Sequence, residues 1–405
     1  MTPVAQSGAT TTRPVRDRAT WLEYIQLGFW AAFLYAFGAT NALLRDEQGT
    51  TRSVAGFHGT ALAIGGLLGG LIAARLIDSW GRGRLLRMSA IAATASIAIY
   101  TVPHGTLPVT LTGAFLASFF GTLLLISINA FLLDYQGLAG PTALTEANAL
   151  ASFAGLLGPL AVGAAAASVL GWRAGVWAIA VCLIAVELFR GRDVDTYGTK
   201  GLAAHEDAPG KLPRRVFWSL ALIMCFLGAE FCLTFWGADL LRERCNFGPA
   251  AAAASIGAIS GGMLVGRLLG ARLAQRIPTE TILRSSVVFA LGAFALAWLF
   301  TWWPIVVLGL FLTGVGIGVD WPLGVARTVR SSGGMTDRAS AAASIAGSVA
   351  IATAPIVLGI LSDHLDFHLA FLLVPVLLGA ALTILIARPV PDEGPVTLAM
   401  PTAPI

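Results

Sequence analysis

Two acidic residues lie inside long apolar segments of this sequence. Glu230 is flanked on both sides by mostly apolar residues, and Asp320 lies in a second such segment, directly before Trp321 and Pro322. A carboxylate removed from water is costly to keep charged, so a residue of this kind is a candidate for binding a proton or a polar ligand. Glu230, and after it Asp320, are the predicted proton-binding groups.

Other polar side chains occupy similar positions. Asp320 and Arg327 are two helical turns apart and would share one face of a helix. They could line a ligand pathway or form a gate at one end of it. Asn129 lies deeper in its apolar segment than Asp134 and is the better ligand candidate of the two.

Aromatic and amide side chains extend this set. Tyr35 and Asn41 lie in the first apolar segment, and Trp236 follows Glu230 by about two turns. The indole could stack on a sugar or another ring, or it could anchor its helix at a membrane interface. The predicted substrate or proton pathway has six members: Glu230, Asp320, Asn129, Trp236, Asn41 and Tyr35.

The composition is that of an integral membrane protein. Of 405 residues, 56% are hydrophobic and 12% are charged, and the mean hydropathy is +0.78, whereas soluble domains carry about 25% charged residues. The net charge of +4 arises from short connecting segments, which argues against nucleic-acid binding. The four cysteines lack metal or disulfide spacing, and no Walker A sequence occurs. We therefore predict neither an enzyme nor a metal or cofactor site.

The apolar segments predict the architecture. A helix that crosses a bilayer needs about 20 apolar residues, and the sequence contains twelve such runs. We predict an all-α integral membrane protein with two six-helix halves, 21–190 and 214–388, joined by a cytoplasmic linker, 191–213. Residues 1–20 and 389–405 are predicted to be disordered cytoplasmic tails.

The basic residues predict the orientation. If the N-terminus is cytoplasmic, all but five of the 26 lysines and arginines lie on the inside. Because short cytoplasmic loops carry the excess of basic residues, both termini and the linker are predicted to be cytoplasmic. The five outside are Arg45, Arg52, Arg173, Arg242 and Arg244.

Two stretches of the first half recur in the second. Residues 65–84 match 262–278 at one constant spacing, with Gly69 and Gly266 among the identities, and residues 144–155 match 336–347 at nearly the same spacing. Two parallel repeats with a central site between them are typical of secondary transporters, which work by rocking the halves against each other.

Residues 74–84 resemble the loop motif of the major facilitator superfamily, Gly-x-x-x-Asp-Arg/Lys-x-Gly-Arg-Arg/Lys. Asp78, Gly81 and Arg82 are kept. Ala74 and Ser79 replace the first glycine and the base after the aspartate, and an inserted glycine moves the last arginine to position 84. The resemblance implies the twelve-helix fold of this superfamily and transport by alternating access.

The resemblance also implies a gate and a cavity. In this superfamily the motif aspartate braces the start of the eleventh helix and a base there, which would be Arg338. Helices 1, 4, 7 and 10 line the central cavity, which places Glu230 and Asp320 in it. The alternative is that the loop charges only fix the topology. The predicted cytoplasmic gate comprises Asp78, Gly81, Arg82, Arg84, Glu146 and Arg338.

Two weaker resemblances favour different functions. Residues 155–163, with Gly158 and Pro159, are similar to a motif of drug exporters that exchange protons, although small residues and proline also serve helix packing. Residues 228–241, with Glu230 and Trp236, loosely resemble the fucose-permease-like branch.

From these features we expect a secondary active transporter that takes up a small polar solute together with protons, as a symporter and a monomer in a bacterial-type inner membrane. One alternative is a proton antiporter that exports drugs or metabolites. A second alternative is a membrane sensor that does not transport, which the altered motif residue Ser79 keeps open. Several polar side chains near Glu230 would favour the uptake of a polar solute, and an apolar pocket with one acid would favour the exporter.

Overall fold

The computed structural model describes residues 14–191, 195–197, 211–274 and 276–390, and in these ranges it contains helices and no strand. Lipid offers no hydrogen bonds to the backbone, so long apolar segments satisfy their own backbone groups as helices. Twelve membrane helices confirm the predicted all-α fold. They are α1 Arg18–Gln48, α2 Arg52–Trp80, α3 Arg82–Tyr100, α4 Leu107–Gln136, α5 Gly140–Ala166, α6 Trp172–Arg190, α7 Arg214–Cys245, α8 Pro249–Leu273, α9 Thr279–Leu299, α10 Trp303–Ile317 with Asp320–Arg330, α11 Thr336–His364, and α12 Phe367–Ala370 with Leu373–Ala387.

Eleven of these helices are long and apolar enough to cross a membrane. The exception by composition is α3, whose 19 residues include three arginines near its start. The predicted tails and linker fall largely outside the described residues. At the N-terminus, α1 begins three residues earlier than predicted because the Asp17 side chain caps it by accepting a hydrogen bond from the Thr20 amide.

The helix ends define two opposite faces of the molecule. The near face is the side on which α1 begins and α6 ends, at Arg18 and Arg190. The far face is the side on which α1 and α7 end, at Gln48 and Cys245. The positive-inside rule predicts that the near face is cytoplasmic.

Equivalent glycines make equivalent contacts in the two repeats. A Cβ atom on Gly65 of α2 would lie 2.1 Å from the Phe115 carbonyl oxygen, and one on Gly262 of α8 would lie 1.9 Å from the Phe311 carbonyl oxygen. No other residue fits at these positions, because a side chain would collide with the backbone of the neighbouring helix. The glycine-rich stretches that match in sequence thus serve the same close packing within each half.

Helix α10 is interrupted near its middle. Its first segment ends at Ile317 and its second begins at Asp320. Pro322 has no backbone N–H to donate to the carbonyl four residues earlier, which belongs to Gly318. That carbonyl instead accepts a hydrogen bond from Arg267 Nε at 3.3 Å. The break therefore provides a backbone acceptor inside the helix bundle.

Candidate functional site

A polar cluster around Arg267 joins the two halves at the centre of the bundle. Arg267 lies on α8 and donates from Nη2 to the Tyr35 hydroxyl of α1 at 2.9 Å and from Nη1 to the Ser152 hydroxyl of α5 at 2.8 Å. Its third hydrogen-bond partner is the Gly318 carbonyl of α10. All three acceptors are uncharged, so none of them neutralises the guanidinium.

Arg267 was not among the sequence-predicted site residues. It lies within the repeated stretch of α8, where the matched position of the first half is Gly70. The signal for its role was therefore a departure from the repeat, an arginine among glycines and leucines, rather than a shared element of it. A charged side chain in the apolar part of a membrane helix is a functional candidate for this reason alone.

Glu230 and Asp320 complete the cluster. Glu230 is 6% exposed on α7 and interacts electrostatically with Tyr35, Arg267 and Asp320. Among the described residues, no hydrogen bond reaches the Glu230 carboxylate. Asp320 is 2% exposed, and neither of its oxygens accepts a hydrogen bond within the described ranges. The Ser286 hydroxyl lies near Asp320 and donates to the Leu283 carbonyl at 2.9 Å.

A small cavity adjoins Glu230 on the far-face side. Its volume is about 50 Å³, which is room for about three water molecules. Tyr35, Thr234 and Glu230 supply its polar lining, and the remaining lining residues are apolar: Leu34, Phe37, Gly38, Gly59, Leu62, Phe231, Phe235, Ile351 and Pro355. A solute larger than a few waters therefore needs a wider arrangement of the helices.

The other predicted pathway residues lie apart from this cluster. Asn41 is buried and donates to the Ala55 carbonyl at 3.3 Å. Trp236 is 1% exposed and donates its indole N–H to the Pro355 carbonyl at 2.8 Å, so its ring packs in the protein rather than facing a ligand in this conformation. Asn129 is half-buried on α4, with an Oδ1 atom that no described residue contacts by a hydrogen bond. Their part in the pathway stays a prediction.

Asp320 and Arg327, which could have formed a gate pair, do not contact each other in this conformation. Arg327 donates to Glu280 at 2.6 Å and to the Ser219 hydroxyl at 2.7 Å, which places it in a buried ion pair between α9 and the near-face end of α10. The two residues share a helix, but Asp320 faces the central cluster. The electrostatic neighbour of Asp320 is Glu230.

The predicted contact between Asp78 and Arg338 is not formed. Asp78 is exposed at the near face and makes no ion pair or hydrogen bond with any described residue. Arg82, the arginine of the same loop motif, is buried and forms an ion pair with Asp134 at 3.2 Å.

The other predicted gate residues are also spread over the near face. Glu146 pairs at 2.6 Å with Arg16, which lies just before the start of α1. Arg84 is exposed, and Gly81 ends α2 at a positive φ of 81°.

Ion pairs between the halves close the far face. Arg45 and Asp239 meet at 2.6 Å, with side-chain exposures of 10% and 2%, and Arg242 meets Asp46 at 2.6 Å. Arg52 and Glu243 form a third pair. In the layer beneath, the Thr60 hydroxyl donates to the Ala352 carbonyl at 2.7 Å, which joins α2 to α11. Three of the five arginines predicted to be outside, Arg45, Arg52 and Arg242, therefore join the halves at this face, and the adjacent acids at the ends of α1 and α7 were the available signal.

Comparison with known proteins agrees with this architecture. A family model of the major facilitator superfamily matches residues 25–302 and 281–402. A structure of a single-site mutant of the nucleoside transporter NupG is similar with a TM-score of 0.71 and 14% identity, over 91% of this chain and 97% of that one.

Two further structures show the same fold. A structure of a mutant of the peptide transporter POT in complex with alafosfalin has a TM-score of 0.71 and 12% identity, over 93% and 96% of the two chains. A bacterial homolog of the human lysosomal transporter Spinster has a TM-score of 0.63 and 13% identity, over 91% and 93%. No curated protein matches the sequence, and the loose resemblance to fucose permeases stays a prediction. Twelve helices, a central polar cluster and a family match along nearly the whole chain agree: this chain is a member of the major facilitator superfamily.

Proposed function

We propose that this membrane transporter takes up a small polar solute together with protons, by alternating access between its two halves. The observation that carries the proposal is the convergence of Tyr35, Ser152, Glu230, Arg267 and Asp320 between the halves. Polar groups from several helices at this position supply the hydrogen bonds that a polar solute loses when it leaves water.

Glu230 and Asp320 are the proposed proton carriers. Both are buried, and neither forms a direct ion pair among the described residues. A carboxylate in such a place can cross a low-dielectric region at much lower cost when it carries a proton. Proton uptake at one face and release at the other would then accompany the movement of the solute.

Alternating access accounts for the two gates. In this conformation the far face is closed by Arg45, Asp239 and their neighbours, whereas Asp78 at the near face has no partner in the described chain. We propose that the near face is cytoplasmic and that Asp78 contacts the start of α11 when the far face opens. We also propose a monomer in an inner membrane, with both termini in the cytoplasm.

Export of lipophilic compounds in exchange for protons is the second candidate. The mostly apolar lining of the cavity beside Glu230 favours it. The uptake proposal is preferred because Arg267 and its hydroxyl partners give the centre more polar groups than a lipophilic compound could satisfy.

Proteoliposomes with a trapped pH-sensitive dye test the proposal. We expect solutes that stabilise the purified protein to drive proton movement in the wild type, and we expect Glu230→Gln to abolish that movement while the protein still folds. Asp366→Asn, a change of an exposed far-face acid, is the matched control and should behave as the wild type. Proton movement that persists in Glu230→Gln at the wild-type rate would remove Glu230 from the mechanism.

A further inference from the structure

We propose that the substrate is a small organic anion whose carboxylate binds Arg267. This inference rests on the proposed transport function and adds the chemical class of the solute. It starts from the contacts of the guanidinium, which in this conformation are all with uncharged acceptors.

Other arginines inside this protein are neutralised directly. Arg190 lies 2.6 Å from Glu23, Arg327 lies 2.6 Å from Glu280, and Arg45 lies 2.6 Å from Asp239. A buried guanidinium is costly unless an anion pairs with it. Arg267 has carboxylates in its neighbourhood, but none of the described residues places one at hydrogen-bond distance. The guanidinium therefore lacks an anion in direct contact.

The two hydroxyls occupy the two Nη donors of Arg267 that a carboxylate would bind. Ser152 Oγ accepts from Nη1 at 2.8 Å and Tyr35 OH accepts from Nη2 at 2.9 Å. Guanidinium and carboxylate groups form two parallel hydrogen bonds of this kind, and charged pairs are roughly twice as strong as neutral ones. A carboxylate therefore can replace both hydroxyls with a gain in binding energy.

With Glu230 and Asp320 protonated, Arg267 is the one charged group of this cluster, and its charge disfavours the opposite class of solute. An organic cation would meet the positive charge of Arg267 at the point where the helices converge. An anion that binds Arg267 while Glu230 takes up one proton brings no net charge into the cavity. That balance lowers the cost of moving both through the low-dielectric centre. One proton for each monoanion is the expected stoichiometry.

Binding at Arg267 would also act on the conformation. Tyr35 and Ser152 belong to the first half and Arg267 to the second, so their hydrogen bonds join the halves. A ligand that takes over the guanidinium releases these two links. Because it then binds differently to the linked and unlinked states, it shifts the equilibrium between them.

Matched acids and amides test the inference on the purified full-length protein. The probes are acetate and acetamide, lactate and lactamide, and benzoate and benzamide, because each pair differs mainly in charge. We expect at least one acid to raise the melting temperature, since a ligand that binds only the folded state stabilises it, and we expect its amide to bind about tenfold more weakly or worse, a difference of about 1.4 kcal/mol. Stabilisation by amides as well as by acids, or by none of the acids at millimolar concentration, would overturn the inference.

Variants of the cluster locate the effect. Arg267→Gln should lose the response to the acid, and Arg267→Lys should keep part of it, because lysine retains the charge without the planar fork. Tyr35→Phe should bind the acid at least as well as the wild type, since a competing acceptor is gone. Arg272→Gln, an exposed arginine of the same helix, is the control. An unchanged response in Arg267→Gln contradicts the proposal; if that variant does not fold, the lysine variant and the comparison of acids with amides decide.

Failure of this inference and failure of the transport proposal give different results. A neutral solute that drives Glu230-dependent proton movement would overturn the anion assignment and leave proton-coupled uptake in place. If no member of a panel of acids, amides, sugars and amino acids drives proton movement, the anion assignment and the proposal of proton-coupled uptake are both overturned.

Discussion

At the scale of single residues, the site is defined by unusual pairing rather than by unusual residue types. The protein contains several buried acids and arginines, and most of them meet each other, as Glu280 meets Arg327. Glu230 and Asp320 are different because no described group neutralises them directly. Residues that are costly to bury and are not paired are the ones whose removal is expected to affect transport more than folding.

Asp320→Asn tests this distinction. Because the carboxylate of Asp320 accepts no hydrogen bond from the described residues, the amide removes a buried charge without breaking a pair. We expect the melting temperature to stay the same or rise, and solute-driven proton movement to fall about tenfold or more, as expected for a group that carries the proton. Thermal unfolding and dye-loaded proteoliposomes measure the two effects. Glu280→Gln is the contrast, since it leaves Arg327 without its partner and should lower the melting temperature; a similar loss of stability in Asp320→Asn would contradict the argument.

At the scale of elements, the break in α10 links the helix backbone to the central arginine. Pro322 leaves the Gly318 carbonyl without its helical donor, and Arg267 supplies the missing hydrogen bond at 3.3 Å. Asp320 begins the second segment directly after this break. A single proline thereby contributes to the position of two members of the site that lie on different helices.

Pro322→Ala should weaken this link. Alanine supplies an N–H to the Gly318 carbonyl, so the helix can continue and Arg267 loses one acceptor. We expect the variant to be at least as thermally stable as the wild type, because alanine favours the helix interior over proline by about 3 kcal/mol, and to bind its solute several-fold more weakly. Pro304→Ala, at the first turn of α10 where proline is well tolerated, is the control. An unchanged affinity would show that the break does not position Arg267.

At the scale of the whole molecule, tight packing makes each half rigid, whereas the contacts between the halves can change. Within each half, Gly65 and Gly262 allow helices to approach so closely that a Cβ atom would collide with the next backbone. Between the halves, the far face is held by ion pairs such as Arg45 with Asp239. Polar contacts can be exchanged during a rocking motion, whereas interlocked packing cannot.

Asp239→Asn should favour opening of the far face. Loss of this pair leaves the buried Arg45 without its main partner, which destabilises the closed state. If the free energy of the closed state rises by about 1.4 kcal/mol relative to the open state, the population of the open state rises about tenfold. Labelling of Thr234→Cys by a membrane-impermeant maleimide, in a background without the four native cysteines, should be about tenfold faster in the variant. The double variant Arg45→Asp with Asp239→Arg should restore slow labelling. If Asp239→Asn alone is labelled as slowly as the wild type, packing and not this ion pair keeps the far face closed.

The fold was largely predictable from the sequence, and the site only in part. Lipid forces apolar segments into helices, so their length sets the number of spans. Glu230 and Asp320 could be predicted as site residues because an acid inside such an apolar segment is costly to bury. Arg267 was missed because it lies in a stretch that matched the first half, and its importance depends on Tyr35 and Ser152, which are distant in the chain. The Asp78 contact failed because a sequence encodes both conformations and one structure shows a single one of them.

The ion pairs of the far face have a consequence for the response of the protein to its surroundings. Asp46 and Arg242 keep side-chain exposures of 36% and 28%, so dissolved ions reach them, whereas the deeper pair of Arg45 and Asp239 is largely shielded. The Debye length shrinks from about 10 Å at 0.1 M salt to about 3 Å at 1 M. Salt on the far-face side should therefore loosen the outer layer of the closure and leave the inner layer in place, so we expect opening of the far face to depend on the ionic strength of the solution on that side.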